Sequence, residues 1–558
     1  MMLVGLAVPA GCRGRGDAPG SGAGSGSGPG SAAAPVRTRL PNPAAAGSTI
    51  ARRDYIGPAA CGECHPDQHA QWATSLHPVM NQLARGDAVI GDFAGVVVRY
   101  AGGEVRFDRD TKMGYTMTLA KGARTVRYRV TRTIGRRSLQ EYVGIEAPAD
   151  GAEASGAEVR LPFGWWPKRG GWYPQPYFDP WLPEDQVDVY APVRESWAER
   201  CPWCHSTYAF EQRIARASAR PVGHGFEQQF VAEAGPRMEG AGVTPAPGID
   251  RLAVEEQVTV GISCESCHLG GRAHAAGAPI HFVPQGAEPR PGAAVPTTFA
   301  RERADAAIVN TVCAQCHSGP SPRLADGTAL RNSSEALDLA ASPCATARCV
   351  DCHDPHRGGF DELRAIAACT GCHDALADPA SARTHAGHAP ATTCLDCHMP
   401  RLVMGIDRFV RTHRISSPTD PRVLASAGPN ACNLCHLDRS IAWTVDELRT
   451  QFEVRLDPRG WKSYGHPEAA VGEVWLGSAE PALRLIAAAA YARSPLGAFM
   501  VPELVRGLAD PLAHVRTWTL LALEQLLHRR ISDAEFDPRA PPEERARQLE
   551  RLRLRPAR

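Results

Sequence analysis

The chain has 558 residues, enough for two to four domains, and its 61 basic and 60 acidic residues leave a net charge of +1. That balance gives no electrostatic case for a nucleic-acid partner. Eighteen cysteines would suit a disulfide framework, but 16 of them fall in eight Cys-x-x-Cys-His units, so they are committed elsewhere.

In chain order, residues 1–12 hold a short apolar run, Leu3–Ala10, with no basic residue ahead of it. The run ends in VPAGC, which has the look of a lipoprotein processing site at Cys12, although Pro9 stands where the pattern prefers Leu. A misassigned start would account for the missing basic segment; plain secretion is the alternative to a lipid anchor. Residues 13–50 form a flexible Gly/Ser/Pro linker by composition. Residues 51–92 carry the first motif, with a short helix expected behind it. Residues 93–160 alternate with period two around Val96, Val105, Met117 and Tyr128, interrupted at Gly102-Gly103 and Lys121-Gly122, which predicts antiparallel hairpins. Residues 161–200 are rich in Trp and Pro; the prolines argue for a rigid coil whose rings pack on the sheet and on a cofactor face. A docking surface or substrate wall is the other reading of those rings. Residues 201–445 hold motifs two to eight, with seven motifs in the 236 residues from Cys201 to His436. Residues 446–475 read as a connector. Residues 476–530 carry apolar residues at helical spacing, with Leu520, Leu523 and Leu527 on one face. The phrase LADPLAHVRTWTLLAL resembles a HEAT repeat, and too few repeats follow to stand alone, so this region should dock on the rest. Residues 531–558 are a charged tail. No stretch is apolar enough for a transmembrane helix.

The eight motifs are Cys61–Cys64–His65, Cys201–Cys204–His205, Cys264–Cys267–His268, Cys313–Cys316–His317, Cys349–Cys352–His353, Cys369–Cys372–His373, Cys394–Cys397–His398 and Cys432–Cys435–His436. Cys-x-x-Cys-His is the spacing for covalent attachment of a c-type haem: the thiols form thioethers and the adjacent imidazole is the proximal iron ligand. Zinc sites need no obligatory His after each pair, so eight out of eight argues for eight haems c. Sites this dense leave no room for an ordinary protein core, and the porphyrins take its place; the apo-chain should not fold. Arginine makes up 57 of the 61 basic residues, which GC-rich codon usage explains and which also suits pairing with haem propionates.

Twelve of the 20 histidines lie outside the motifs. His466, His514 and His528 fall in the C-terminal helices. The other nine, His69, His77, His224, His274, His281, His356, His385, His388 and His413, are candidates for the sixth position of eight irons, each serving a motif other than its own. Met80 and Met404 are weaker candidates. Cys344 is expected to be a free thiol.

The segments CGECHPDQHAQWATSLH, GISCESCHLGGRAH, CVDCHDPH, CLDCHMP and PNACNLCHLDRS resemble the multihaem cytochromes of the cytochrome c-554 type, in the branch with C-terminal HEAT or tetratricopeptide-like helices. The resemblance covers residues 55–93, about 196–445 and the helical tail. It implies a mostly α and coil multihaem cytochrome c fold organised around covalent haems, with a small inserted antiparallel β unit and a HEAT-like α-helical region. It favours His77, His274, His356, His413 and one of His385 and His388 as distal ligands. It implies electron transfer with redox partner proteins, in the periplasm or at the cell surface; the VPAGC segment adds membrane attachment through lipidated Cys12 as one option. Two alternatives stand beside this. One is an oxidoreductase of a small nitrogen or sulfur oxyanion with one open haem, carried by His205 or His268, although no motif reads Cys-x-x-Cys-Lys. The other is a subunit docked through its helical tail into a larger redox complex.

Overall fold

In the computed structural model of the chain, the described residues are 48–148, 156–178, 184–193, 196–219, 251–285, 298–389, 391–425, 428–456, 461 and 464–554. All of them belong to one unit, Leu40–Arg558. The apolar run, Cys12, the linker up to residue 47 and His224 lie outside the described residues.

The period-two segment between the first two motifs forms a seven-stranded antiparallel sheet. Its strands are β1 (Gln82–Leu83), β2 (Ala94–Tyr100), β3 (Gly103–Asp110), β4 (Gly114–Lys121), β5 (Arg124–Ile134), β6 (Glu141–Glu146) and β7 (Val159–Arg160). β2 to β7 run as a meander, and β1 pairs with the far end of β5. The sheet therefore begins inside the first motif segment, ahead of the boundary that alternation alone suggests. Alternation puts Val105 and Phe107, Met117 and Leu119, and Tyr128 and Val130 on the buried face. The register places Phe107 opposite Met117 and Met117 opposite Tyr128, so the apolar residues meet as cross-strand pairs. The β2–β3 turn pair is Ala101-Gly102, both with positive φ (47° and 77°), as a two-residue hairpin turn requires. Gly103 already belongs to β3; a Cβ there would come within 2.6 Å of the Tyr190 ring.

The Trp- and Pro-rich segment is more ordered than the expected coil. Its prolines flank a hairpin, β8 (Phe163–Trp166) with β9 (Gly171–Pro174), in place of breaking it. The rings cover the sheet: Trp172 stacks on Phe107 with centroids 3.7 Å apart and planes 5° apart. Trp166, Trp172, Tyr173 and Tyr177 are fully buried.

The helical region begins earlier than the sequence suggests. The stretch read as a connector contains most of the helix Ile441–Phe452 and the start of Val471–Leu476. Pro481–Tyr491, Val501–Gly507 and Ala513–Leu526 follow. These helices share one apolar cluster with the hairpin β10 (Arg401–Met404) and β11 (Phe409–Arg411). Met404 is 4% exposed in that cluster, where it packs as a core residue. Ala513 and Leu521 of the last long helix also join the sheet cluster. Two fully buried arginines fasten this junction. Arg169, from the β8–β9 turn, pairs with Glu524 and Asp533. Arg516 pairs with Glu184, which also accepts from Tyr100 and Tyr177. Ile531 and Phe536 of the charged tail are buried too, so the tail is held down before its last helix, Pro542–Arg551. Among the described residues, no single helix is long and apolar enough to cross a membrane.

The motif segments are short helices joined by turns; between Cys201 and His436 no described helix exceeds the ten residues of Phe210–Ala219. Burial there is sparse. From Pro343 to Cys394 the only buried described residue is Ala365.

Candidate haem-binding sites

Each motif places its cysteines and histidine on one helical turn. In motif 7 the backbone N–H of Thr393 donates to Asp396, whose carboxylate also accepts from the Thr393 hydroxyl, which caps the helix Cys394–His398. In motif 5 Asp351 accepts from the backbone N–H of Arg348 in the same way. In these two motifs the aspartate two positions before the histidine fixes the turn that aims its ring.

Five histidine pairs recur across the molecule with one spacing. The ring centroids are 6.0 Å apart for His65 and His274, 6.2 Å for His268 and His356, and 6.1 Å for His353 and His413. They are 6.2 Å apart for His398 and His385, and 6.1 Å for His436 and His388. Two imidazoles bound through one nitrogen each on opposite sides of a metal, at about 2.0 Å per bond, set their centroids about 6 Å apart. Every pair joins one motif histidine to one histidine outside the motifs, and that partner never follows its own motif directly. The planes are 2° to 21° apart in four pairs and 51° apart for His436 and His388.

Second contacts hold several rings in one tautomer. His274 Nδ1 meets the Ala278 carbonyl at 2.8 Å, and His398 Nδ1 meets that of Ser416 at 2.9 Å. His388 Nδ1 meets the Ala386 carbonyl at 2.6 Å. Each contact commits Nδ1 and leaves Nε2 for a metal. Burial pulls the His268 imidazole down to about 4, with the charges of His356, His274 and His65 adding to it. Burial likewise lowers His205, His353, His398, His413 and His436. Neutral imidazole is the form that binds metal.

The three remaining motif histidines differ. His317 has His77 nearby; burial, then the His317 charge, lowers the His77 imidazole. Desolvation lowers His317 itself, but its bond to Glu335, the Glu335 charge and the nearby Cys316 and Cys349 together raise it to about 9. His205 gives its Nδ1 to the Met80 carbonyl at 2.9 Å and lies 5.8 Å from the Trp197 ring, with no imidazole paired to it among the described residues. His373 is exposed and also lacks a paired imidazole among the described residues. His69 packs on Trp72 beside its own motif, and His281 is bonded through Nδ1 to the buried Glu302.

The motifs also touch one another. The Trp203 indole N–H of motif 2 donates to the Gln315 carbonyl of motif 4 at 2.6 Å, and the Cys316 thiol faces the Trp203 carbonyl at 3.9 Å. Asn310, on the helix leading into motif 4, accepts from the backbone N–H of Cys349 in motif 5 at 2.9 Å. The helix Pro58–Cys64 of motif 1 packs on the turn Cys264–Ser266 of motif 3.

The residues fit haem c on two counts. In the five histidine pairs the nitrogen donors are opposed in twos. The described residues of 343–394 bury only Ala365, too little for a core of their own, which suits a bulky apolar group held between them.

No protein-family model matches the chain, and no curated protein matches it. Among solved structures the chain is similar to the outer cell wall cytochrome OcwA, at 16% identity with a TM-score of 0.38, over 85% of this chain and 98% of that one. It is also similar to the octaheme sulfite reductase MccA of Wolinella succinogenes, at 16% identity with a TM-score of 0.28, over 64% of this chain and 56% of that one.

Proposed function

We propose that this chain is an octahaem c-type cytochrome that relays electrons through mostly bis-histidine haems outside the cytoplasm. The observation that carries the reading is the set of five histidine pairs at 6.0–6.2 Å, each joining a motif histidine to one outside the motifs. The haem irons supply the one-electron chemistry. The chain's residues would do the rest: the cysteines would hold each group, the paired imidazoles would ligate the iron at five motifs, and the close motif-to-motif contacts would keep neighbouring groups within short range. Redox partner proteins are the implied donor and acceptor, and Cys12 is the proposed point of lipid attachment.

Two measurements test this. A pyridine haemochrome assay on the holoprotein should return eight haems per chain. EPR should show a majority of low-spin ferric haem, with the 51° pair at His436 giving a low-spin signal distinct from the near-parallel pairs. A haem count near zero, or a predominantly high-spin spectrum, overturns the reading.

Motif 2 favours a second role, reduction or oxidation of a small nitrogen or sulfur oxyanion. His205 lies where the inserted sheet meets the motifs, and polar atoms collect there. Asn81 donates to Ser206, next to His205, at 2.9 Å. Asn81 Oδ1, Gln82 Oε1, Arg132 Nη1, Thr133 Oγ1 and Trp197 Nε1 are buried with no hydrogen-bond partner. A high-spin component that shifts on adding nitrite or sulfite, and is lost in His205→Ala, would assign the site to substrate. A spectrum indifferent to both anions rules the role out.

A further inference from the structure

We infer that Glu335 sets the reduction potential of the motif-4 site by hydrogen-bonding its proximal histidine, making that site the most reducing of those whose ring contacts are described. The inference rests on the haem reading above. His317 Nδ1 lies 3.3 Å from Glu335 Oε2, so the ring donates to a carboxylate. The other motif rings with a described Nδ1 contact donate to backbone carbonyls, His205 to Met80 and His398 to Ser416. His268 Nδ1 is buried with no partner.

The carboxylate is built in place. Glu335 opens the helix Glu335–Ala340, and its Oε1 accepts from the backbone N–H of Ser333 at 2.9 Å. The next residue, Ala336, donates its backbone N–H to the His317 carbonyl at 3.0 Å. The helix start is thus tied to the motif at both backbone and ring, and Glu335 cannot swing away without breaking two contacts. Its two oxygens accept from the His317 ring and from the Ser333 backbone N–H, contacts that favour the ionised carboxylate.

A full negative charge on Nδ1–H pushes electron density through the ring to the iron bound at Nε2. That stabilises the more positive ferric state over the ferrous one and lowers the potential; a carbonyl dipole does the same more weakly. The placement matters because motif 4 touches both motif 2 and motif 5. A low-potential group at that junction passes electrons on to its neighbours and does not trap them.

The test is a spectroelectrochemical titration of the full-length holoprotein, wild type against Glu335→Gln, with haem content measured on the same samples. Gln keeps the shape and removes the charge. One component of the titration should move to higher potential in Glu335→Gln, with the others unchanged and the haem count intact. Glu335→Asp, which keeps the charge, should shift the same component less and serves if the Gln variant loads haem poorly. An unmoved titration at full haem content, or a shift spread evenly over all components as a loss of general charge gives, overturns the role of Glu335. A wild-type chain without covalent haem would instead overturn the haem reading.

Discussion

At the scale of single residues, the two histidines at positions 385 and 388 show how a local conformation decides a ligand. Three residues apart on a continuous helix they would share one face, and the resemblance noted in the sequence favoured only one of them. Both are placed opposite motif histidines, and different ones. His385 lies in the last turn of the helix Pro379–Ala386, and Gly387 follows with φ of 63° in the left-handed region. That residue ends the helix and turns His388 toward His436 while His385 stays on His398. Glycine takes this conformation without strain; a Cβ raises its cost by about 1–2 kcal/mol. In Gly387→Ala the chain after the helix should relax. The expected outcome is weakened low-spin character at motif 8, read as a partial high-spin EPR signal, with the motif-7 signal kept. Equal loss at both motifs would show that Gly387 does not separate them. The motif cysteines and histidines themselves were legible from spacing, because covalent attachment chemistry demands adjacent residues. The distal partners were legible only as a pool, because their pairing depends on contacts across tens to hundreds of residues.

At the scale of elements, the sheet was legible because alternation is a local signal, and its register follows from the buried rows at Val105, Met117 and Tyr128. The Trp- and Pro-rich hairpin was not, because its prolines sit at the ends of β8 and β9, where a missing N–H does no harm. The early start of the helical region was also hidden: Ile441–Phe452 belongs to it by packing, through Ile441 and Leu448 in the shared cluster. That cluster ties the helices to the ligand set. Trp518 packs edge-on against Phe409 at 5.3 Å, and Phe409 lies on β11, the strand that delivers His413 to His353. Replacing Trp518 by Ala removes a 6%-exposed side chain from this core and should destabilise the protein by about 3–5 kcal/mol. A denaturant titration followed by both far-ultraviolet dichroism and the haem spectrum should show the motif-5 low-spin signal weakening before the remaining haem signals. Simultaneous loss of every signal would mean that the hairpin does not transmit the change to His413.

At the scale of the whole molecule, the contacts arrange the motifs in an order that differs from the sequence. Motif 1 packs on motif 3, and motif 4 on motif 5. The helix Cys349–Cys352 of motif 5 packs on Glu362–Thr370, which carries Cys369 of motif 6, and that helix packs on Cys394–His398 of motif 7. Cys397 of motif 7 lies near Cys432 and Cys435 of motif 8. Cys267 of motif 3 lies near Cys316 of motif 4. Motif 2, which follows the inserted sheet in the chain, clasps motif 4 and reaches motif 3, where the Thr207 and Ser266 hydroxyls meet at 2.9 Å. In the proposed relay this is one file, 1–3–4–5–6–7–8, with motif 2 as a side branch. Nothing in the spacing of the motifs encodes that order, since each motif is locally alike and the branch is created by where the sheet carries the chain. The order has a kinetic consequence. When electrons redistribute inside the protein faster than a reductant fills it, all haems grow in together. Cys369→Ser with Cys372→Ser removes motif 6 from the middle of the file and separates motifs 7 and 8 from the rest. Stopped-flow reduction should then split into two phases, with about two sevenths of the remaining absorbance change in one of them, if each haem absorbs equally. Cys201→Ser with Cys204→Ser removes only the branch, and the seven remaining haems should still fill in one phase. A single phase in both variants would show that the file has a parallel path around motif 6, and two phases in the motif-2 variant would place motif 2 on the main line.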